Sequence, residues 1–484
     1  MNAWKPLLLF AATAGASAGT LAGTTGLDAS FGNNGIVLIG PTPTTGVKMN
    51  RISALVIDAD GRIVIGGYVW GSEDVLPKPA VGRLDAEGNW DTSFADNGLF
   101  VLSNDSPAAP YGGRIDQVGL FSDGSVLAAG SSHQPGGYYY SCTVLIKLTT
   151  LGVPDTGFAP EHSGSYCFDF APPMQNWYVT YHWDDIKVDS DDSFFLTSPT
   201  TNLSDLRSAV AHLDSTGTLV DIYGTNGIAA VSDGVVATNR LEILPDHSVV
   251  AVGISGTINN LGLGASQLDI NGDVETGYGV LGIASTDLQG PASIGIPDAT
   301  TDSQHRLLIS SYSHVPGYDD SPFRLARLTS AGTVDMTFNG NGQQSGPPGV
   351  AVLTLSSNPS NDGIRGATPL PDGYILVVGQ NAKVADSDGM SNISLARLRD
   401  DAAWDASYGD TAHPGWASLN IGGKSDSYGG PGSPPVEARD GRILVAIGAT
   451  DANDHACIGL LRIVPDRLLD AGFDAPTPMP TCPQ

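Results

Sequence analysis

Arg83-Leu84-Asp85-Ala86-Glu87-Gly88-Asn89-Trp90-Asp91-Thr92-Ser93-Phe94, followed by Asp96-Asn97-Gly98, is one copy of a pattern that runs the length of the chain. Another clear copy is Arg327-Leu328-Thr329-Ser330-Ala331-Gly332-Thr333-Val334-Asp335-Met336-Thr337-Phe338, followed by Asn341-Gly342. The aromatic that ends each copy recurs as Phe31, Phe94, Phe158, Tyr223, Tyr278, Phe338, Tyr408 and Phe473, at spacings of 63, 64, 65, 55, 60, 70 and 65 residues. Eight markers enclose seven units. Periods this long indicate repeat arrays, solenoids or propellers.

Each unit holds four strand-like segments. In the first they are residues Ile36–Ile39, Ile52–Asp58, Arg62–Tyr68 and Ala80–Leu84. Ala59-Asp60-Gly61 joins the second and third as a tight hairpin. Ser122-Asp123-Gly124, Pro371-Asp372-Gly373 and Arg439-Asp440-Gly441 are equivalent turns. An aliphatic run ending in small residues follows the turn, as in Ile63-Val64-Ile65-Gly66-Gly67 and Val126-Leu127-Ala128-Ala129-Gly130. Such runs suit inner strands of a propeller, where sheets crowd near the axis. No segment keeps a 3.6-residue apolar period, so helix is expected to be minor. Four strands in each of seven units predict an all-β, seven-bladed propeller of about 63 residues per blade. A β-solenoid is the competing architecture, but its coils are shorter and lack a hairpin in every unit.

These segments resemble the delta-60 repeat family of bacterial β-propeller proteins. Leu370-Pro371-Asp372-Gly373, Ile375-Leu376-Val377-Val378-Gly379, Leu395-Ala396-Arg397-Leu398 and Asp405-Ala406-Ser407-Tyr408-Gly409 carry the likeness, which covers residues 27–474. The resemblance implies a propeller fold and an exported, scaffold-like role, without implying one reaction. Copies three to five depart from it. Val220 and Glu275 replace the marker Asp, and Asp191-Asp192 and Asp246-His247 replace Asp-Gly. Distortion is expected in those blades.

The repeat also selects a cysteine pairing. Cys142 and Cys457 each lie 16 residues before a marker aromatic, and Cys167 and Cys482 each lie 9 after it. Both pairs therefore occupy the same two repeat positions, expected on the third and outermost strands of a blade. Disulfides Cys142–Cys167 and Cys457–Cys482 follow, the second clamping the tail where the ring closes. The N-terminal strand at residues 36–39 is expected to complete the last blade, because Pro476-Thr477-Pro478-Met479-Pro480 is too proline-rich to supply a strand.

Residues 1–18 read as a signal peptide: Lys5, then the apolar run Leu7-Leu8-Leu9-Phe10-Ala11-Ala12, then the small-residue site Ala16-Ser17-Ala18. Residues 19–474 are expected to form one propeller domain and residues 475–484 a proline-rich tail. No later stretch has the length of an apolar membrane span. The expected location is secreted or periplasmic, where disulfides persist. With 23 Lys plus Arg against 51 Asp plus Glu, the formal net charge of −28 repels nucleic acid and anionic membrane.

Catalytic motifs are scarce. Gly15-Ala16-Ser17-Ala18-Gly19 matches a nucleophile elbow but lies in the signal peptide. No zinc-protease, P-loop or haem-attachment pattern occurs. Asp269, Asn271 and Asp273 have calcium-loop spacing, yet sister copies carry a plain turn there, and a turn is the expected reading. No cofactor or metal is expected, although an acidic exported chain can take up adventitious Ca²⁺.

Candidate ligand contacts are residues out of phase with the repeat. Trp177, Tyr181, His182 and Trp183 fall in a stretch that does not recur and that is expected at one mouth of the ring, where aromatics can stack on a sugar. Arg51, Arg114 and His182 share one repeat position and are expected to ring the channel entrance, either focusing an anionic ligand or pairing with Asp184 or Asp185. Two function classes follow. The first is a non-enzymatic, exported, monomeric binding scaffold for a carbohydrate or a cell-surface protein. The alternative is a secreted polysaccharide lyase-like enzyme acting on an acidic glycan, with Arg51 or Arg114 neutralising a carboxylate and His182 and Tyr181 handling the proton.

Overall fold

The hairpin at Asp60-Gly61 is held by its own first residue. Asp58 Oδ1 accepts the backbone N–H groups of Asp60 (2.9 Å) and Arg62 (2.8 Å), and Gly61 supplies the left-handed φ of +81°. This turn joins Arg51–Ile57 to Ile63–Val69, and Lys78–Leu84 and Leu99–Val101 complete an antiparallel sheet in that order. The computed structural model describes residues 26–465 and Cys482, apart from 72, 73, 75, 104, 110, 111, 134–139, 160–162, 169–177, 180–184, 203, 204, 258, 259, 287–292, 315–322, 356–362, 383–390, 410–413, 420–424, 429–433 and 451–454. Seven such sheets form a ring, the seven-bladed β-propeller expected from the repeat, and no helix occurs among the described residues.

The last blade is closed by the other end of the chain. Ser425–Tyr428 and Val436–Glu437 pair with Ile443–Thr450, followed by Ala456–Ile463, and the outermost position is taken by Ile36–Leu38. Val37 faces Leu460 in that ladder, and the innermost strand Arg51–Ile57 of the first blade adjoins the seventh.

Apolar residues lie on both faces of each sheet, so the core sits between blades rather than inside any one. Val64 and Val81 of the first blade pack with Val118, Val126 and Val144 of the second. Each blade thus needs its neighbours to bury its surface, which is why a closed ring satisfies the repeat.

A second device ties the blades at the outer turns. Arg83 is almost fully buried; its Nε donates to Asp91 Oδ2 (2.8 Å), its Nη1 donates to the Thr150 carbonyl of the next blade (2.6 Å), and its guanidinium lies 4.5 Å from the Phe94 ring centre. Arg327 repeats this with Asp335, Asp400 and Phe338, and Arg397 with Asp405, the Pro465 carbonyl and Tyr408. The repeated Arg, Asp and aromatic are therefore one inter-blade joint.

The diverged copies keep their turns. Val220 N–H bonds to the His212 carbonyl and Glu275 N–H to the Gln267 carbonyl (both 2.9 Å), as Asp91 does to Arg83 (3.0 Å), because these bonds use only the backbone. In blade three His212 takes the place of arginine and stacks on Phe195, with ring centres 4.2 Å apart. Asp192 and His247 adopt the positive φ that Gly61 has elsewhere, at 66° and 65°. Their innermost strands are no special case: the described pieces Tyr178–Val179 and Asp185–Val188 of blade three are matched by Ser425–Tyr428 and Val436–Glu437 of blade seven, and the register shift between Val236 and Arg240 in blade four has counterparts in blades one, two, five and six.

Both disulfides form, with Cα atoms 5.5 Å apart in each. Cys142 and Cys167 lie on the third and outermost strands of blade two, as expected. The second pair differs. Cys457 is on the third strand of blade seven, but Cys482 belongs to no strand, since Ile36–Leu38 already fills the outermost place. This disulfide ties Cys482 to the third strand of the last blade.

Candidate functional site at the channel mouth

The innermost strands border the axis, and each of the first two has a bulge near its start, next to an arginine. Registers shift between Ile52 and Ala54 and between Ile115 and Gln117. The bulge drives the Arg51 and Arg114 carbonyls against the neighbouring strand, at Gly67 and Gly130. A Cβ at either glycine would sit 1.9 Å from that carbonyl oxygen. The glycine that ends each aliphatic run is thus required by close backbone approach, and it sets where the arginine begins.

Arg114 is not a free cation at the mouth. Its Nε donates to Asp116 Oδ1 at 2.7 Å, and the Ser131 hydroxyl donates to Oδ2 at 3.2 Å. Arg51 also acts on this carboxylate through its charge. Burial nonetheless holds the Asp116 carboxyl above the ordinary range, outweighing the pull of both arginines. Of the three residues expected to form a basic cluster, Arg114 is paired with an aspartate on its own strand. Of the two carboxylates expected as partners, Asp184 lies outside the described residues, and Asp185 Oδ2 accepts the Leu241 N–H of the next blade at 2.8 Å. Trp177, Tyr181, His182 and Trp183 also lie outside the described residues.

A second charged set lies deeper along the innermost strands, nearer the hairpin turns, on blades three to five. Lys187 Nζ is 2.9 Å from Glu242 Oε1, and Thr301 donates to Glu242 Oε2 at 3.2 Å. Asp298 Oδ2 accepts the Ala367 N–H of blade six at 3.4 Å. Burial pushes Asp298 up to about 7, against the attraction of Arg240 and Lys187 and with the help of Glu242. Burial would lower Lys187, but Glu242, Asp185 and Asp298 more than offset it and raise it. Each of these hydrogen bonds crosses a blade boundary, as does the Lys187–Glu242 ion pair.

Asp116, Lys187, Glu242 and Asp298 were not among the sequence candidates. Their signal was present: alternating charges within otherwise aliphatic strands, as in Asp185-Ile186-Lys187-Val188 and Arg240-Leu241-Glu242-Ile243. Asp269, by contrast, serves its own turn, accepting the N–H groups of Asn271 (2.8 Å) and Asp273 (2.9 Å). Among the described residues no three His, Cys, Asp or Glu side chains gather as metal ligands. The mouth offers the paired cation and carboxylate of Arg114 and Asp116, suited to hydrogen-bonding a polar ligand.

A family model described as "Domain of unknown function (DUF5122) beta-propeller" matches residues 59–94, from the first hairpin turn to the first joint aromatic. No curated protein sequence matches the chain. Among solved structures, polysaccharide lyase Uly1 is similar at 9% identity and a TM-score of 0.48, over 86% of this chain and 90% of that one. The alpha-L-arabinanase of Penicillium chrysogenum, complexed with arabinobiose, is similar at 10% identity and a TM-score of 0.40, over 72% and 93%. The endo-arabinase of Bacteroides thetaiotaomicron VPI-5482 is similar at 12% identity and a TM-score of 0.30, over 60% and 97%. Likenesses this distant say nothing of what this chain binds.

Proposed function

We propose that this chain is an exported, non-enzymatic propeller of the delta-60 repeat type that binds a glycan or a cell-surface partner at the channel mouth. The observation that carries this reading is the 2.7 Å pair between Arg114 and Asp116. A lyase must present a cation to the substrate's carboxylate, and Arg114, one of the two arginines suited to that task, already holds a carboxylate of its own. A paired arginine still orients hydroxyl groups, which is what binding a polar ligand requires. Export is supported by the two disulfides, which persist in an oxidising compartment. No helix among the described residues is long and apolar enough to cross a membrane. In this reading residues 19–474 act as one domain, as a monomer without cofactor.

The test is a glycan array and a panel of acidic polysaccharides, read for both binding and ultraviolet-absorbing unsaturated products. Binding without turnover is expected, weakened on the order of tenfold by Arg114→Ala, Trp177→Ala or Trp183→Ala. Products that accumulate with time and vanish in His182→Ala would replace the scaffold by a lyase.

A further inference from the structure

The opposite face of the ring carries an apolar patch that the repeat does not explain. Ile222, Ile270, Val280, Leu281 and Met336 are 55–79% exposed. They sit on the turns after the third strands of blades three to five, at the strand ends remote from the Arg51 mouth. Backbone bonds make these turns contiguous. Gly224 N–H bonds to the Asn271 carbonyl (2.6 Å), and Gly279 N–H to the Ala331 carbonyl (2.8 Å).

Sister blades carry polar residues at the same positions. Where blade four has Val280-Leu281, others have Asn33-Asn34, Asp96-Asn97 and Thr225-Asn226. Leu281 holds the same left-handed backbone, φ 56°, as Asn34, Asn97 and Asn226 at 53–54°. Asparagine tolerates that region and leucine is strained in it, so an exposed Leu281 costs stability without repaying it in packing. Ile222 stands where Ser30, Ser93 and Ser407 bind the joint aspartate. The surroundings are acidic: Asp221, Asp273 and Glu275 are exposed. Between Asp214 and Thr286 Arg240 is the one Lys or Arg in the sequence, and it is buried on an innermost strand.

We propose that this patch docks a cationic amphipathic protein segment, one whose apolar stripe meets Ile222, Val280, Leu281 and Met336 and whose lysines or arginines meet the surrounding carboxylates. Charge complementarity selects this occupant over a second copy of the chain or an anionic membrane, both of which share the sign of the patch.

The probe is a synthetic Leu/Lys amphipathic helix, with a Leu/Glu helix as its counterpart. The test variant is Ile222→Ser/Val280→Asp/Leu281→Asn, which installs the residues of blade one and adds a negative charge. The Leu/Lys helix is expected to bind with a Kd on the order of micromolar, more weakly as salt rises, and the Leu/Glu helix not to bind. The variant is expected to lose at least about tenfold in affinity despite its extra charge, with melting unchanged or raised. Equal binding by variant and parent, or no binding, overturns the proposal. So does a dimer in sedimentation that the variant abolishes, which assigns the patch to a second copy, or co-pelleting with phosphatidylserine vesicles, which assigns it to lipid. If the variant melts lower, Leu281→Asn alone decides, because it only removes strain: unaltered affinity there counts against the patch.

Discussion

Arg462 and Asp28 lie 434 residues apart in the chain, yet Arg462 Nε donates to Asp28 Oδ2 at 2.7 Å. Arg462 Nη1 also donates to the Ala86 carbonyl of blade one (2.7 Å), and its guanidinium lies 4.4 Å from the Phe31 ring centre. This is the Arg83–Asp91–Phe94 joint built from the two ends of the molecule. A local alternative exists in the sequence: Asp470 follows Arg462 by eight residues, as Asp91 follows Arg83, and Phe473 completes it. The N-terminal copy holds the seat for a reason of hydrogen bonding. It continues into Ile36–Leu38, which can pair with the third strand, whereas the C-terminal copy continues into Pro478 and Pro480, which have no N–H to give.

Breaking this joint should open the ring. Arg462→Ala is expected to cost about 3–5 kcal/mol, because it takes one of two arginines from the buried Asp28 carboxylate, which keeps Arg442 and the Ser30 hydroxyl and N–H, and also removes the donor to the Ala86 carbonyl. Arg399→Ala, which removes an exposed pair with Asp401, should cost under about 1 kcal/mol. Urea titrations of both variants measure the difference, and equal midpoints would count against the closure role.

The joints also predict the acid limit. Burial alone would raise Asp28, Asp91, Asp335 and Asp405, but hydroxyl and backbone hydrogen bonds and the arginines outweigh it and hold all four below the usual carboxylate range. A depressed folded-state pKa gives stability that is complete above the unfolded pKa and is lost as pH falls through the folded one. Stability should therefore fall below about pH 4. Replacing one joint aspartate, as in Asp335→Asn, should flatten that fall in melting curves.

Asp298 works in the opposite sense. Its pKa of about 7 lies above that of an unfolded aspartate, so the folded chain binds the extra proton. Stability should decrease as pH rises from about 4 to about 7. Asp298→Asn should reduce this slope, leaving the part that Asp116 contributes in the same direction, and stabilise the protein near neutrality while keeping an oxygen for the Ala367 N–H. Denaturant midpoints across that range test it.

His212 gives a third, separable pH effect. Burial lowers its pKa despite the nearby Asp191, Asp189 and Asp214. The unfolded chain takes up this proton first, so stability should drop as pH falls below about 6.5. His212→Gln, which copies Gln267 of blade four, should abolish that drop; an unchanged thermal profile would exclude His212 as its source.

Each disulfide closes a loop of 25 residues, worth about 3 kcal/mol in the chain-entropy model. Cys142→Ser/Cys167→Ser should lower the urea midpoint accordingly. Cys457→Ser/Cys482→Ser should in addition speed proteolysis of the tail, because Cys482 has no strand to hold it. Non-reducing peptide maps of the parent protein check the pairing itself.

The fold was legible because a propeller repeats its local rules. Turn residues, aliphatic runs and marker aromatics fall at one phase; that phase predicted seven blades and both cysteine pairs, and the proline-rich C-terminal tail pointed to the N-terminal strand in the last blade. The site was less legible. Arg51 and Arg114 stood out by their shared position, yet Asp116, two residues beyond Arg114 on the same strand, decides what Arg114 can do. Lys187, Glu242 and Asp298 were hidden because each finds its partner on a neighbouring blade.

The sequence by itself determined the unit: its strands, its turns, its joint and how many copies stand in a row. Those depend on contacts within about sixty residues, which a periodic sequence displays. Only the tertiary structure decided which of two end motifs meets Arg462, which charges neutralise one another around the axis, and which apolar residues gather into a patch on the outer turns. Those depend on which surfaces face each other once the ring closes, and Coulomb and packing energies follow distance in space rather than distance along the chain.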